Sequence, residues 1–102
     1  MPRMPSVLPD SQVEPEELTH IRARLLPPYK VILLNDDYNT MDYVVDVLLS
    51  LIDHLTAPEA TEIMWIAHLT GSAVVVVCPK ERAEYYQERL LGAGLIARIE
   101  PD

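Results

Sequence analysis

The apolar run Val31-Ile32-Leu33-Leu34 stops abruptly at Asn35-Asp36-Asp37, and a helix start follows near Met41. An amide and two carboxylates therefore sit where a strand hands over to a helix, a junction from which a rigid scaffold can aim loop side chains at a ligand. A fourth polar group belongs with them. Ala60, Met64 and His68 recur every four residues, so they lie along one side of a helix, and His68 is the polar member of that side. An Asn oxygen, a carboxylate and the lone pair of a neutral imidazole are three acceptors of different direction. A primary ammonium, with three N–H donors, needs such a set. Met41, Val44 and Met64 would then supply an apolar wall, methionine being able to fit guests of different shape. Each residue alone has an ordinary explanation, since Asn and Asp form turns and His and Met pack into cores. Only together do they point to an amine that carries an apolar group.

Other chemistries fit less well. A hard-cation loop needs more oxygen ligands and a Gly for its tight turn, yet the first glycine of the chain is Gly71. A zinc site needs more His or Cys. Asp37 and His68 could form an acid–base dyad, but no nucleophile pattern accompanies them. Cys78 lies in an apolar strand without a basic neighbour before Lys80, and neither a Gly-x-Ser-x-Gly turn nor a phosphate-cradling loop is present. No catalytic residue, metal or cofactor is expected, and the protein reads as a non-enzyme.

The chain of 102 residues is long enough for one domain with a modest core, and its 49% apolar and 24% charged residues are those of a globular protein. A formal net charge of −8 argues against nucleic acid and against an anionic membrane surface, both of which demand basic patches. It favours cationic groups instead. Cys78 is the one cysteine, so no internal disulfide can form, which fits a reducing cytoplasm. The opening Met1-Pro2-Arg3-Met4-Pro5 lacks the apolar core of a signal peptide. The run Ala73 to Cys78 is far too short for a membrane span. A cytoplasmic, unanchored protein is expected.

The elements that must position these groups can be read in order. Residues 1–28 carry six of the nine prolines (Pro2, Pro5, Pro9, Pro15, Pro27 and Pro28) and read as a flexible, disordered N-terminal extension, leaving 29–102 as the folded domain. Lys30 to Leu34 is a strand buried on both faces. Met41 to Ile52 is a mostly buried helix whose narrow polar stripe is Asp42, Asp46 and Ser50, capped by Asn39 or Thr40. Thr56-Ala57-Pro58-Glu59 is a capping-box start for a helix ending near Leu69, with Gly71 as its stop. Ala73 to Cys78 is a Val-rich strand expected at the centre of the sheet. A third helix runs from about Pro79 to Leu91, and Leu95 to Ile99 forms a third strand. The expected fold is α+β: a small three-stranded antiparallel sheet packed against three helices in the order β-α-α-β-α-β.

The same residues carry a family likeness. Tyr29-Lys30-Val31-Ile32-Leu33-Leu34-Asn35-Asp36-Asp37-Tyr38 with Met41 and Val44, Ala60-Thr61 with Met64, His68 and Gly71, and Ala83-Glu84 resemble the ClpS adaptor family over about Pro28 to Glu100. The resemblance implies a monomeric adaptor of the N-degron pathway. Such a protein binds substrates with a free α-amino group and a Leu, Phe, Tyr or Trp first residue. It delivers them to the N-domain of a ClpA- or ClpC-type AAA+ unfoldase for degradation by ClpP. By the same resemblance Asn35, Asp36, Asp37 and His68 match the amine-binding positions. Leu33, Leu34, Asn39, Met41, Val44, Met64 and Leu95 match the hydrophobic pocket, Met41 at the position that screens out β-branched first residues. Glu81 and Tyr86 match the unfoldase interface.

Several positions depart from the family pattern. Asn39 stands where the best-known members have Thr, Thr40 replaces a common Pro, and Tyr86 replaces a Lys. The short ending Ala83-Glu84-Tyr85-Tyr86 to Ala93-Gly94-Leu95 is similar to the cyanobacterial type, for which ClpC is the expected partner. The alternative implied by these departures is a regulatory module that docks on the unfoldase without binding N-degrons.

Overall fold

The computed structural model describes residues 27–102; the N-terminal extension expected from the prolines lies, but for Pro27 and Pro28, outside them. Six elements follow the expected order: β1 (Tyr29–Leu34), α1 (Met41–Leu51), α2 (Ala57–Thr70), β2 (Ser72–Cys78), α3 (Lys80–Gly92) and β3 (Ile96–Pro101). They form the expected α+β fold, a three-stranded antiparallel sheet with three helices.

The centre of the sheet is β1, not β2: the strand order is β2-β1-β3. β1 pairs antiparallel with both neighbours, Leu33 lying opposite Ala73 on one side and Ala97 on the other. Its apolar run is buried on both faces, with Val31, Ile32 and Leu33 all nearly inaccessible. The valines of β2 suggested a central strand, but Val74 and Val77 are each 46% exposed. Apolar side chains on both faces do not make a strand central when the helices cover only one face.

On that covered face, Val31, Leu33, Ala73, Val75 and Ala97 meet Val47, Leu48 and Ile52 of the α1 segment, Ala60, Ile63 and Ala67 of α2, and Ala83, Tyr86 and Leu90 of α3. The register of β1 against β2 slips between Val31 and Ile32, an irregularity that lets the neighbours Val75 and Val76 both pack on the core. Helix α1 is less buried than its apolar sequence suggests. Val47 and Leu48 are buried, whereas Tyr43 and Leu49 are substantially exposed.

Local signals set the helix ends. Thr40 caps α1 by accepting from the Tyr43 N–H at 3.1 Å. Thr56 and Glu59 make the full capping box: the Glu59 N–H donates to Thr56 Oγ1 at 3.3 Å and the Thr56 N–H to Glu59 Oε1 at 2.9 Å. These bonds from the Thr56 backbone and hydroxyl hold the Glu59 carboxyl below its ordinary range. Helix α2 stops at Gly71, whose φ of 102° is left-handed.

Candidate functional site

The site is assembled where the C-terminal ends of β1 and α2 meet. The Asn35 N–H donates to the Gly71 carbonyl at 3.0 Å, and the Gly71 N–H donates to the Ala67 carbonyl at 2.9 Å. One residue therefore couples the end of the strand to the helix that bears His68. A Cβ at Gly71 would have no heavy atom within 4 Å, so glycine is needed there for its backbone conformation, not for space.

The loop after Asn35 is shaped by one carboxylate. Asp36 Oδ1 accepts from the backbone N–H of Tyr38 at 3.0 Å and of Asn39 at 2.9 Å. The Asn39 side-chain amide donates to both oxygens of Asp36 at 3.2 Å and to the Gly94 carbonyl at 2.9 Å. Desolvation pushes the Asp36 carboxyl up, but the bonds from the Asn39 backbone, the Asn39 side chain and the Tyr38 backbone together outweigh it. The carboxyl is left below its ordinary value. Nearby, the Tyr43 hydroxyl donates to the Ala93 carbonyl at 2.6 Å. The α3–β3 turn is thus fastened to the entrance of α1 by two long-range side-chain bonds. Asn39 donates its side-chain N–H groups to Asp36 and Gly94, and its side-chain oxygen accepts no bond among the described residues.

A cavity of about 30 Å³ opens between these elements, lined by Leu33, Leu34, Asn35, Asp36, Asn39, Met41, Val44, Met64, Ala67 and His68. Nine of these were expected from sequence. The tenth is Ala67, one residue before His68 and 3% exposed. Asp37 is exposed and outside the lining. Leu95 is not at the pocket: it is 2% exposed and sits in the main core, because its N–H donates back to the Leu90 carbonyl at 3.1 Å and folds the turn inward.

Tyr86 is likewise core, 5% exposed, with the Arg82 guanidinium 5.6 Å from its ring centre. Its side chain is not available as a surface contact, since its turn of α3 faces the sheet beside Ala83 and Leu90. Glu81, by contrast, is exposed beside Arg82 and Tyr85. The Trp65 ring meets His68 edge-on, with centroids 5.8 Å apart. The three-residue spacing on one helix, which makes neighbours of such pairs, was the signal for it. Cys78 is half-buried, and its thiol is pushed up by desolvation against a smaller opposing effect of Arg82. Among the described residues no three His, Cys, Asp or Glu side chains are grouped to hold a metal ion, and no helix is long and apolar enough to cross a membrane.

Hydrogen-bond acceptors above a methionine-walled apolar cavity, set on a small α+β scaffold, define a ligand-binding module of the adaptor kind. The family model described as "ATP-dependent Clp protease adaptor protein ClpS" matches residues 25–95. The chain belongs to the ClpS adaptor family. It is 45% identical over 89 residues to the ATP-dependent Clp protease adapter protein ClpS of Synechococcus elongatus, covering 87% of this chain and 92% of the relative. With the protein of the same name from Thermosynechococcus vestitus it shares 42% identity over 100 residues, 97% of this chain and all of the relative. Among solved structures it is similar to Agrobacterium tumefaciens ClpS2 bound to L-phenylalaninamide, at TM-score 0.67 and 38% identity over 74% of this chain and 98% of the other. These relatives are named adaptors, which points to a non-enzymatic role.

Proposed function

We propose that this protein is an N-degron adaptor: it binds the free α-amino group and bulky apolar first side chain of a substrate and passes that substrate to a ClpC- or ClpA-type unfoldase for degradation by ClpP. The observation that carries the reading is the meeting of Asn35, Asp36, Asn39 and His68 with Leu33, Leu34, Met41, Val44 and Met64 around one cavity. The phenylalaninamide in the related structure supports it, because that ligand pairs a free amine with an aromatic side chain. Asn35 and His68 are the amine acceptors in this scheme, Asp36 orders the loop and adds negative potential, and exposed Asp37 acts through its field at the rim. Glu81 marks the unfoldase-facing surface. The protein acts as a monomer in the cytoplasm.

The cavity as it stands has room for about one water molecule, whereas a benzene-sized guest needs roughly 150 Å³. A guest must therefore push its wall outward. Met41 and Met64 are suited to this, being unbranched and flexible, and Met41 is already 37% exposed. Burying a Leu- or Phe-sized guest contributes roughly 1.5–3 kcal/mol, and each bond to the ammonium about 1.5–3 kcal/mol. Ordering the peptide offsets part of this. Affinity on the order of micromolar results, weak enough to release cargo.

The test is a panel of fluorescent peptides beginning with Leu, Phe, Tyr, Trp or Val, each with a free or an acetylated amine. Binding of the first four, loss on acetylation and rejection of Val are expected. Binding should also weaken above about pH 8, where the guest amine loses its proton. Equal binding of acetylated peptides would overturn amine recognition. The narrowness of the cavity favours a second reading, a regulator that docks on the unfoldase with a vestigial pocket. Capture of the unfoldase without capture of any peptide is its signature.

A further inference from the structure

Tyr43 lines no part of the cavity, yet its hydroxyl makes the shortest side-chain hydrogen bond among the described residues, to the Ala93 carbonyl at 2.6 Å. The next carbonyl of the same turn, that of Gly94, accepts from the Asn39 side chain at 2.9 Å. Asn39 and Tyr43 flank the cap of α1, where Thr40 Oγ1 accepts from the Tyr43 N–H at 3.1 Å. One end of α1 therefore grips two successive carbonyls of the α3–β3 turn. The turn is closed by its own backbone: the Gly94 N–H donates to the Leu91 carbonyl at 3.0 Å and the Leu95 N–H to the Leu90 carbonyl at 3.1 Å, with Gly94 at a left-handed φ of 90°. Those bonds stay within the turn and the end of α3. The side chains of Asn39 and Tyr43 tie the turn to α1.

The bonds form a relay into the pocket. A side-chain amide has two N–H groups to give, and Asn39 divides them between the Gly94 carbonyl and the carboxylate of Asp36. That carboxylate also holds the backbone N–H groups of Tyr38 and Asn39, and so sets the course of the loop that carries the rim. A displaced turn would draw Asn39 away from Asp36 and leave the carboxylate with fewer donors. The Tyr43 hydroxyl, bonded to the adjacent carbonyl, opposes that displacement. We propose that Tyr43 is a positioning residue for amine recognition: its hydroxyl clasps the α3–β3 turn, the turn holds Asn39, and Asn39 holds Asp36 and its loop in the geometry that receives the amine. This rests on the N-degron reading of the pocket, and it extends the determinants of affinity to a side chain outside the cavity lining.

The decisive variant is Tyr43→Phe, made in the full chain, which deletes the hydroxyl and keeps the ring. Loss of one neutral hydrogen bond changes the equilibrium it supports by about 2–10-fold. Hydrogen exchange of the Tyr38 and Asn39 amides, which donate to Asp36, should therefore accelerate by that factor when followed by NMR. The Asn35 amide, bonded to Gly71, should keep its rate. Equal acceleration of all these amides, or of none, overturns the clasp. Free-amine peptides beginning with Leu, Phe, Tyr or Trp should weaken by one common factor of about 2–10-fold, because they share the amine. Unchanged affinities overturn the proposal, and so does a changed order of preference, which would place the effect on the apolar wall. A double-variant cycle checks the route. With Asn39→Ala already in place, Tyr43→Phe should change affinity and Tyr38 exchange by less than about twofold. The same cost in both backgrounds means that the hydroxyl does not act through Asn39. If Asn39→Ala binds no peptide, Tyr38 exchange alone closes the cycle. If the wild-type chain binds none of the peptides, the N-degron reading has failed, and the exchange rates still decide the clasp.

Discussion

The two halves of the pocket are built in opposite ways. The loop that carries the polar rim is fixed: Asp36 is held by Asn39 and Tyr38, Asn39 is tied to Gly94, and the Asn35 backbone is tied to Gly71. The apolar wall is soft: Met41 and Met64 carry no bonds that restrain their side chains, and together they leave a cavity of only about 30 Å³. In the proposed function the two halves meet different parts of the guest. The amine is the same in every substrate, so its acceptors gain from being preorganised. The first side chain varies, so a wall that yields and refills serves better than a rigid one.

Breaking the rim should have the largest effect. Asp36→Ala removes the acceptor for three N–H groups, and a Leu-initiated peptide should lose on the order of 100-fold in affinity by fluorescence anisotropy. Stability should fall by about 1–2 kcal/mol in urea melts, toward the low end because the site is only partly buried. The pH dependence has a definite sign. Because the folded-state pKa of Asp36 is depressed, its stabilisation is present above the ordinary carboxylate pKa. It is lost as pH falls through the lower folded value. Asp36→Asn should flatten that acid limb of the stability curve. Asp37→Asn, outside the lining, should cost only about threefold in affinity and lose that effect at high salt.

The joint between rim and helix is the next test. Gly71→Ala meets no steric obstacle but must adopt a φ of 102°. That costs about 1–2 kcal/mol, or lets the backbone relax and carry Asn35 away from His68. A variant that loses peptide affinity beyond what its stability loss explains would mark Gly71 as a positioning residue. The soft wall is probed by Met41→Ala. Peptides beginning with Val or Ile should approach the Leu peptide to within about tenfold. Leu affinity should drop modestly, and stability should change by about 0.5 kcal/mol or less, because Met41 is partly exposed. A wall substitution that abolished all binding would contradict the division of labour.

What the sequence made legible follows the same divide. Element order, caps and the convergence of Asn35, Asp36, His68, Met41 and Met64 were readable because they depend on local periodicity and on short-range turn chemistry. Three features were not, and each depends on which face a neighbouring element covers. β1 rather than β2 is central because both other strands pair with it, and the valines that suggested otherwise include Val74 and Val77, each left 46% exposed. Leu95 lies in the core because a tight α3–β3 turn folds it inward, and Tyr86 because its face of α3, shared with Ala83 and Leu90, meets the sheet. Asn39 reaches across 55 residues to Gly94, a bond that no local pattern announces, and it explains how an amide serves at that position.

The smallest effect on binding is expected farthest from the pocket, at the capping box. Thr56 and Glu59 stabilise the start of α2 through two reciprocal bonds, while Met64 and His68, which the proposed function assigns to binding, lie two to three turns further along the same helix. Thr56→Ala should destabilise the fold by about 1 kcal/mol and leave peptide affinity within twofold. The comparison with Gly71→Ala is then informative, because both substitutions strike an end of α2 at similar cost. If only Gly71→Ala weakens binding, the pocket depends on the geometry of the junction where strand and helix meet. If both weaken it alike, global stability sets affinity, and the fixed rim has no special role.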